Sequence, residues 1–252
     1  MGLWVTTQTG GLSTITVEDT NILRTAQHGL LLDGNAGTIT GVDVDSATWS
    51  GLAVQATGGA ENMSVVSMTG GTIASCLGDG VYCSGHRLSL VDMVISDSGS
   101  NGVLGVSSPI ISVQNSQVTG SAVNGIYCGG GELAVDGSQI STNVDGITVY
   151  GVAGSTTTLA LTDVSTTDND GNGIFVSGVD TGPVTFTADR LRISGNASGL
   201  WGQQNLAAST SLITNALIYG NAAGVVLLDA NASLVNSTIA DNTGRGFELG
   251  FS

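Results

Sequence analysis

A glycine followed at once by an apolar residue recurs from one end of the sequence to the other. Successive glycines lie between about 21 and 29 residues apart, with a mean of roughly 24, and such a period is typical of solenoids. Separately folded domains would not share so short a repeat. The recurring glycines are Gly2, Gly29, Gly51, Gly80, Gly102, Gly125, Gly146, Gly173, Gly199, Gly224 and Gly246.

The residues around each glycine predict a turn followed by a strand. Asn, Asp or Ser commonly precedes the glycine, which favours a turn with a positive φ at the glycine itself. The positions one and three after it are never charged, as Ile126 and Cys128 show after Gly125. These positions share one face of a strand, which we predict to be buried. Cys83 and Cys128 then occupy the same inward position two coils apart, too far for a disulfide, as small core residues.

A second extended segment lies between successive glycines, as in LSLVDMVIS, ISVQNSQVT, LALTDVSTT and SLVNSTIAD. An Asp or Asn recurs in the middle of this segment, where we predict a corner between strands. Equivalent strands of neighbouring coils would pair in parallel, and the corner side chains would stack into ladders. The predicted corner residues are Asp19, Asp92, Asn115, Asp163, Asn215 and Asn236.

Over essentially the whole chain, this pattern resembles the right-handed parallel β-helix repeat proteins of the pectin-lyase-like fold. The phrase NSTIADN at 236–242 is similar to the version common in large bacterial surface and secreted proteins. We therefore predict an all-β protein, a right-handed parallel β-helix of about ten coils of roughly 24 residues. Residues 1–252 would form one domain with uncapped ends, as a segment of a longer solenoid or a self-stacking unit. A left-handed β-helix is the alternative fold, but its strict hexapeptide rhythm is absent.

The charge balance narrows the classes of partner. The sequence holds 20 acidic and 5 basic residues, for a net charge of -15. Clustered Lys and Arg would be needed to bind phosphates, so we expect no nucleic acid and no anionic membrane as partner. No apolar run is long enough to cross a bilayer, and we expect no membrane insertion. A strong like charge favours a soluble protein that works outside the cell or at its surface.

The resemblance implies two kinds of catalytic site, and neither can be assembled from this sequence. Lyases of this fold use basic residues around an acidic sugar, whereas this chain has no lysine and scattered arginines. Hydrolases use clustered aspartates, and Asp43 with Asp45 is the pair that could share a strand face. Solvated corner residues are the favoured interpretation of this pair. The sequence therefore favours a protein that is not an enzyme, with a polysaccharide lyase or glycoside hydrolase as the alternative.

A candidate cation site lies in the stretch TTDNDGNGI. Asp168, Asn169, Asp170 and Asn172 offer oxygen ligands around a glycine, which is the chemistry that calcium prefers. The later Glu of an EF-hand loop is missing, and a polar turn is expected in this long coil in any case. We predict no cofactor and no metal, with calcium at Asp168 and Asp170 as the alternative.

Aromatic residues concentrate two positions after the glycine, where side chains should point outward. Most other members of this column are apolar, and an exposed apolar stripe usually marks an interaction site. The stripe would contact another copy or a surface protein, stack on a glycan, or lie under flanking polypeptide. The leading prediction is an extracellular structural or adhesive module that self-associates, for example into filaments, or binds a surface partner; a polysaccharide-binding or polysaccharide-degrading protein is the alternative. The predicted contact residues are Trp4, Tyr82, Tyr127, Phe175 and Trp201.

Overall fold

The computed structural model describes residues 2–6, 14–55, 64–178, 182–203, 209–228 and 231–250. In these residues the chain winds through about ten coils, and each coil adds one strand to each of three parallel sheets. The predicted all-β class and the parallel β-helix are thus confirmed. The described residues include no helix that is long and apolar enough to cross a membrane.

Sheet A is formed by the strands that follow the recurring glycines. Its strands, in spatial order, are β1 (Leu3–Thr6), β4 (Leu30–Asp33), β7 (Leu52–Gln55), β10 (Val81–Ser84), β13 (Val103–Val106), β16 (Asn124–Gly129), β19 (Asp145–Tyr150), β22 (Asn172–Ser177), β25 (Ser198–Gln203), β28 (Ala223–Leu228) and β31 (Phe247–Gly250). Each strand pairs in parallel with the equivalent strand of the coils before and after it. The sheet therefore runs along the solenoid axis.

Sheets B and C are formed by the segment between successive glycines, which the corner residues divide into two strands. Sheet B contains β2 (Thr14–Glu18), β5 (Ala36–Thr40), β8 (Val65–Thr69), β11 (Arg87–Val91), β14 (Ile110–Gln114), β17 (Glu132–Asp136), β20 (Thr157–Thr162), β23 (Val184–Asp189), β26 (Thr210–Thr214) and β29 (Ala232–Val235). Sheet C contains β3 (Asn21–Leu23), β6 (Asp43–Asp45), β9 (Thr72–Ala74), β12 (Val94–Ser96), β15 (Gln117–Thr119), β18 (Gln139–Ser141), β21 (Ser165–Thr167), β24 (Arg192–Ser194), β27 (Leu217–Tyr219) and β30 (Thr238–Ala240).

The core fills the inside of the coils with side chains from all three sheets. The two positions predicted to face inward on sheet A are buried in every strand from β4 to β28. On the edge strands β1 and β31 they are exposed, except for the half-buried Val5. Cys83 and Cys128 lie in register with Gly105 between them, and both thiols are free. Burial raises the pKa of each thiol to about 12, which fits inert core residues.

The recurring glycines are needed for space and not for a positive φ, which corrects the sequence-based expectation. None of the eleven has a positive φ. A Cβ on Gly125 would lie 2.5 Å from Ile140 Cγ2 and 2.8 Å from the carbonyl oxygen of Gly146. From Gly29 to Gly224, the same carbonyl of the next coil lies 2.3 to 2.8 Å from such a Cβ. Any side chain in this column would push neighbouring coils apart.

The six predicted corner residues do turn the chain from sheet B to sheet C. All six adopt a left-handed backbone conformation with φ between 44 and 54°, which Asn and Asp tolerate better than most residues. However, no hydrogen bond joins any of these six described side chains to another of the six. The six exposed side chains thus form no hydrogen-bonded ladder with one another, and Asp163 and Asn215 bind Arg190 and Asp189 instead.

A hydrogen-bonded asparagine ladder lies instead at the corner between sheets C and A. The amide Nδ2 of each asparagine donates to Oδ1 of the next at 3.1, 2.8, 3.0 and 3.1 Å. The same Oδ1 accepts the backbone N–H of the preceding asparagine. Buried amides are thus satisfied without water. The asparagine ladder consists of Asn143, Asn169, Asn196, Asn221 and Asn242.

Candidate functional site

The outer face of sheet A is the candidate site, because it carries the predicted aromatic column. The strand register places the five predicted residues, Trp4, Tyr82, Tyr127, Phe175 and Trp201, in that single column. Tyr127 is flanked by Leu104 and Thr148 on the adjacent strands. The predicted column is therefore real, and the function of its residues stays a prediction.

The column is less exposed than a continuous apolar stripe would be. Trp4 is 62% exposed, whereas Tyr82, Tyr127, Phe175 and Trp201 are half-buried. The remaining positions include the buried residues Leu31, Ala53, Thr148 and Val226. The expectation of one continuous exposed stripe is wrong, because buried positions interrupt the column and four of its aromatic side chains are half-buried.

Three aromatic rings form a contact cluster in the middle of this face. The Tyr150 ring lies between Tyr127 and Phe175, with centroid distances of 5.8 and 5.5 Å and tilted planes. These are the distances at which aromatic pairs attract each other. Trp201 is the strand neighbour of Phe175 in the next coil. We call Tyr127, Tyr150, Phe175 and Trp201 the aromatic platform, which spans four consecutive coils on β16, β19, β22 and β25.

Tyr150 was missed from the sequence. It stands four residues after Gly146 rather than two, so it belongs to the adjacent outward column. The intervening Thr148 is buried, and its hydroxyl donates to Asn124 Oδ1 at 2.6 Å. Tyr150 therefore supplies the ring in the coil where the main column has none. The alternation of the strand was the available signal, since the position four after the glycine faces outward like the position two after it.

Tyr127 keeps its phenol proton well above neutral pH. Burial raises the pKa of this hydroxyl, and the neighbouring Tyr150 adds to the rise. The platform thus offers a neutral hydroxyl that both donates and accepts hydrogen bonds, beside the half-buried rings.

A row of polar side chains, which we call the polar row, lies at the beginning of the sheet A strands from β10 to β22 and reaches the platform at β16. Asp79 Oδ1 accepts the backbone N–H of Asn101 at 3.0 Å and its amide at 2.9 Å. Asn101 Oδ1 accepts from the Asn124 amide at 2.7 Å, and Asn124 in turn binds the Thr148 hydroxyl. The row therefore holds its members in fixed orientations. The sequence indicates these residues only as turn formers.

A second segment of this polar row begins in the following coil. Asp145 Oδ1 accepts the backbone N–H of Asn172 at 2.6 Å and its amide at 3.0 Å. Within the described chain, the Oδ2 atoms of Asp79 and Asp145 accept no hydrogen bond. These two oxygens are therefore acceptors that an incoming ligand could use.

The aspartate pair considered for hydrolysis lies elsewhere, on sheet C. Asp43 and Asp45 do share the outer face of β6, since Val44 between them is buried. Asp43 Oδ1 accepts the Thr72 backbone N–H at 2.8 Å, and an Asp45 oxygen accepts the Ser46 hydroxyl at 3.0 Å. Both carboxylates thus bind local corner groups, as the solvated-corner interpretation predicts.

The candidate calcium loop is arranged differently from a ligand cage. Asn169 is buried in the asparagine ladder, and the Asn172 amide binds Asp145. Asp168 adopts a positive φ at the corner. Only Asp168 and Asp170 of the four predicted ligands remain uncommitted by these contacts, and two carboxylates supply few of the oxygens that calcium takes. The described residues contain no group of three His, Cys, Asp or Glu side chains placed to hold a metal ion.

The arginines do not meet at one site. Arg190 binds Asp163 through two hydrogen bonds of 2.6 and 2.7 Å, and Asp189 through a third. Arg192 lies over the Tyr219 ring on sheet C, 5.3 Å from its centroid. The sheet A strands from β4 to β28 contain no Lys, Arg or His. A cation meets the outer face of sheet A at its edge strand β31, where Arg245 pairs with Glu248.

A family model for the right-handed beta helix region matches residues 28–189, which is more than half of the chain. The chain belongs to the right-handed β-helix family. A comparison with curated proteins gave no match.

Three solved structures are similar to this chain in fold. The pectate lyase Pel9A matches with a TM-score of 0.55 at 12% identity, over 91% of this chain and 70% of its own. The A-module of the mannuronan C-5 epimerase AlgE4 from Azotobacter vinelandii matches with a TM-score of 0.58 at 12% identity, over 96% and 91%. The receptor binding domain of the siphovirus 9NA tailspike matches with a TM-score of 0.56 at 11% identity, over 94% and 51%. At these identities the similarity concerns the β-helix fold.

Proposed function

We propose that this β-helix is a non-catalytic module that acts outside the cell and binds a polysaccharide through the aromatic platform. The observation that carries the proposal is the contact cluster of Tyr127, Tyr150 and Phe175, half-buried on the outer face of sheet A. Rings fixed by their neighbours present a preorganised surface, which lowers the entropic cost of binding.

The chemistry of a sugar matches both parts of this face. The C–H groups on one side of a pyranose ring pack against aromatic side chains, whose large apolar surface dominates the contact energy. The sugar hydroxyls require hydrogen-bond partners, which the polar row and the Tyr127 hydroxyl supply. The platform crosses three strand spacings of ~4.8 Å, so it extends ~14 Å along the axis. A chain of two or three sugar rings would cover it.

The similar structures support a ligand of this class. The names of two of them, a pectate lyase and a mannuronan epimerase, refer to polysaccharides, and the third is a receptor binding domain. All three share the β-helix fold with this chain. These structures support the proposal through the shared fold alone, and this fold hosts many functions.

Binding without catalysis fits the side chains of this face. Acid–base cleavage needs a pair of groups that converge on one bond, and each carboxylate needs freedom to exchange a proton. Asp79 and Asp145 each use one oxygen to orient a neighbouring asparagine. No basic group accompanies them on these strands.

The test is retention by polysaccharides in native affinity electrophoresis. We expect the double variant Tyr127→Ser, Phe175→Ser to lose at least about tenfold in affinity, because stacking is worth about 1 kcal/mol or more for each ring. Tyr219→Ser, which removes a half-buried tyrosine from the outer face of sheet C, should bind like the parent chain. Unchanged retention of the double variant, with its β-sheet circular dichroism intact, would refute the proposal.

A second candidate function is self-association or binding of a surface protein. The exposed Trp4 lies beside a cleft of about 530 Å³ that Leu3, His28 and Leu31 also line, and this observation favours an apolar contact. Under this candidate, sedimentation velocity would show larger species at high concentration that Trp4→Ser abolishes. The polysaccharide proposal instead expects one species at all concentrations.

A further inference from the structure

We infer that the aromatic platform takes one twisted polysaccharide chain, and not the flat face of a solid in which such chains are packed side by side. The inference rests on the proposed function and deepens it by naming the physical form of the ligand. It follows from the angles between the rings, from the strand positions that supply them and from the width of the platform.

The rings of the platform do not share a plane. The planes of Tyr127 and Tyr150 are inclined by 37°, and those of Tyr150 and Phe175 by 49°. An aromatic side chain gains most from a sugar when its ring face lies against the C–H groups of that sugar. A flat solid presents its sugar faces in one plane. It can therefore lie against the face of Tyr150 or against the faces of its neighbours, but not against all three at once.

The inclination of the Tyr150 ring has a structural cause. Tyr127 and Phe175 stand two residues after their glycines, on strands two spacings, ~10 Å, apart. The Tyr150 centroid lies 5.8 and 5.5 Å from their centroids, so this ring lies between them, over the part of β19 that carries Thr148. It reaches that place from a position two residues further along the strand, and so it enters from the side. Thr148 leaves room for the ring, because its side chain is short, buried and bonded to Asn124.

The platform is one sugar chain wide. Its rings come from two outward positions of the strands, which lie ~7 Å apart along a strand. On one side of these positions lies the polar row, where Asp145 binds Asn172. On the other side the loop 151–156 follows Tyr150, and its residues 152–156 are exposed. A single chain along the solenoid axis fits this strip, and a chain whose successive sugars are rotated about its axis can turn one face toward each inclined ring.

The experiment compares ligands of the same chemistry in two physical forms. Cellohexaose and chitohexaose in solution are compared with microcrystalline cellulose and crystalline chitin, and soluble xylan, galactan and mannan are added as further single chains. Affinity electrophoresis and calorimetry measure binding to the soluble chains, and depletion of the protein from solution measures binding to the solids. We expect at least about tenfold tighter binding to one or more soluble chains than to either solid, because a flat face loses part of the ring contacts.

The variant Tyr150→Ser removes the inclined ring and keeps the rest of the platform. It should weaken binding of the preferred soluble chain by about threefold to tenfold, since one of the stacking contacts is lost. Tyr219→Ser, on the outer face of sheet C, is the matched control and should bind like the parent chain. Circular dichroism verifies that both variants keep their β-sheet structure.

The outcomes separate this inference from the proposed function. Binding to a crystalline solid within about tenfold of the best soluble chain, abolished by Tyr127→Ser, Phe175→Ser, would overturn the inference and leave the proposed function standing. A preference for a soluble chain that Tyr150→Ser does not weaken would also overturn the inference alone, because the inclined ring would then make no contact. Binding that the double variant does not change, or no binding to any of these ligands, would overturn both.

Discussion

At the scale of single residues, the recurring glycine is required because the space between neighbouring coils admits no side chain at its position. The recurring glycine lies where the backbone of one coil meets that of the next, and an amide of the asparagine ladder fills the remaining room beside it: Asn143 Nδ2 lies 2.7 Å from the Cβ position of Gly125. Gly125 therefore avoids two steric overlaps, one with the backbone of the next coil and one with the Asn143 amide. Sequence patterns show that the position needs glycine, but the contact that requires it spans two coils.

Gly125→Ala is expected to destabilise the protein by about 1–3 kcal/mol, because the added methyl overlaps Ile140 Cγ2 and the Gly146 carbonyl oxygen. Gly246→Ala is the matched control in the same column, since its nearest atom lies 4.0 Å away. Urea unfolding followed by circular dichroism measures both variants. Equal midpoints for the two variants would contradict the steric explanation.

A buried histidine makes stability depend on pH. His86 is 1% exposed, and its Nδ1 accepts the Ser64 backbone N–H at 3.0 Å, so the folded state favours the neutral ring. Burial lowers the pKa of His86, and the Gln55 carbonyl and the charge of Asp33 offset this in part. A lowered folded-state pKa means that the unfolded chain binds the proton more readily. Stability is then complete above the unfolded-state pKa of ~6.5 and falls as the pH drops below it.

We expect the wild-type chain to unfold at a lower urea concentration at pH 5.5 than at pH 7.5, and His86→Gln to remove most of that difference. His28→Gln should remove a smaller part of the difference, because burial also lowers the pKa of this histidine, which is only half-buried. Carboxylates titrate mainly below this window, near pH 4. A pH dependence that survives in His86→Gln would show that another group is responsible.

At the scale of elements, the corner between sheets C and A locks successive coils together. Asn196 illustrates the asparagine ladder: its Nδ2 donates to Asn221 Oδ1 and to the carbonyls of Thr166 and Ser194, at 3.0 to 3.2 Å. Its Oδ1 accepts from the backbone N–H and the amide of Asn169. Toward the N-terminus the same corner position holds small residues, namely Thr25, Ala47, Cys76, Ser98 and Ser121. The coils there lack the ladder amides, and side-chain hydrogen bonds between them lie at other positions, such as Asp79 with Asn101.

Asn196→Ala should cost about 3 kcal/mol or more, because it leaves buried donors of Asn169 and buried carbonyls without partners. Gln117→Ala is the matched control, since the Gln117 side chain on sheet C is exposed and makes no hydrogen bond to the described residues. Thermal unfolding of both variants tests the difference. A similar cost for the two amides would show that the ladder contributes little.

At the scale of the whole molecule, the repeat made the fold predictable and the site only partly so. The glycine spacing and the inward pairs such as Ile126 and Cys128 recur in every coil, so local rules identified the solenoid and its buried positions. The ladder, Tyr150 and the shielding of Ala53 depend on which side chains of adjacent coils face each other. That register is set by packing between coils, which a pattern within one coil does not contain. The aromatic column was predicted, whereas its exposure and its polar border were not.

The most direct test of the proposed binding face is a crystal structure of the chain with an oligosaccharide of the polysaccharide that retains it best. We expect the sugar rings to lie along the solenoid axis over Tyr127, Tyr150 and Phe175, with a hydroxyl or amino group bonded to Asp145. A glycan bound instead on sheet B, for example in the cleft of about 210 Å³ lined by Thr187, Asp189 and Leu212, would contradict the central claim.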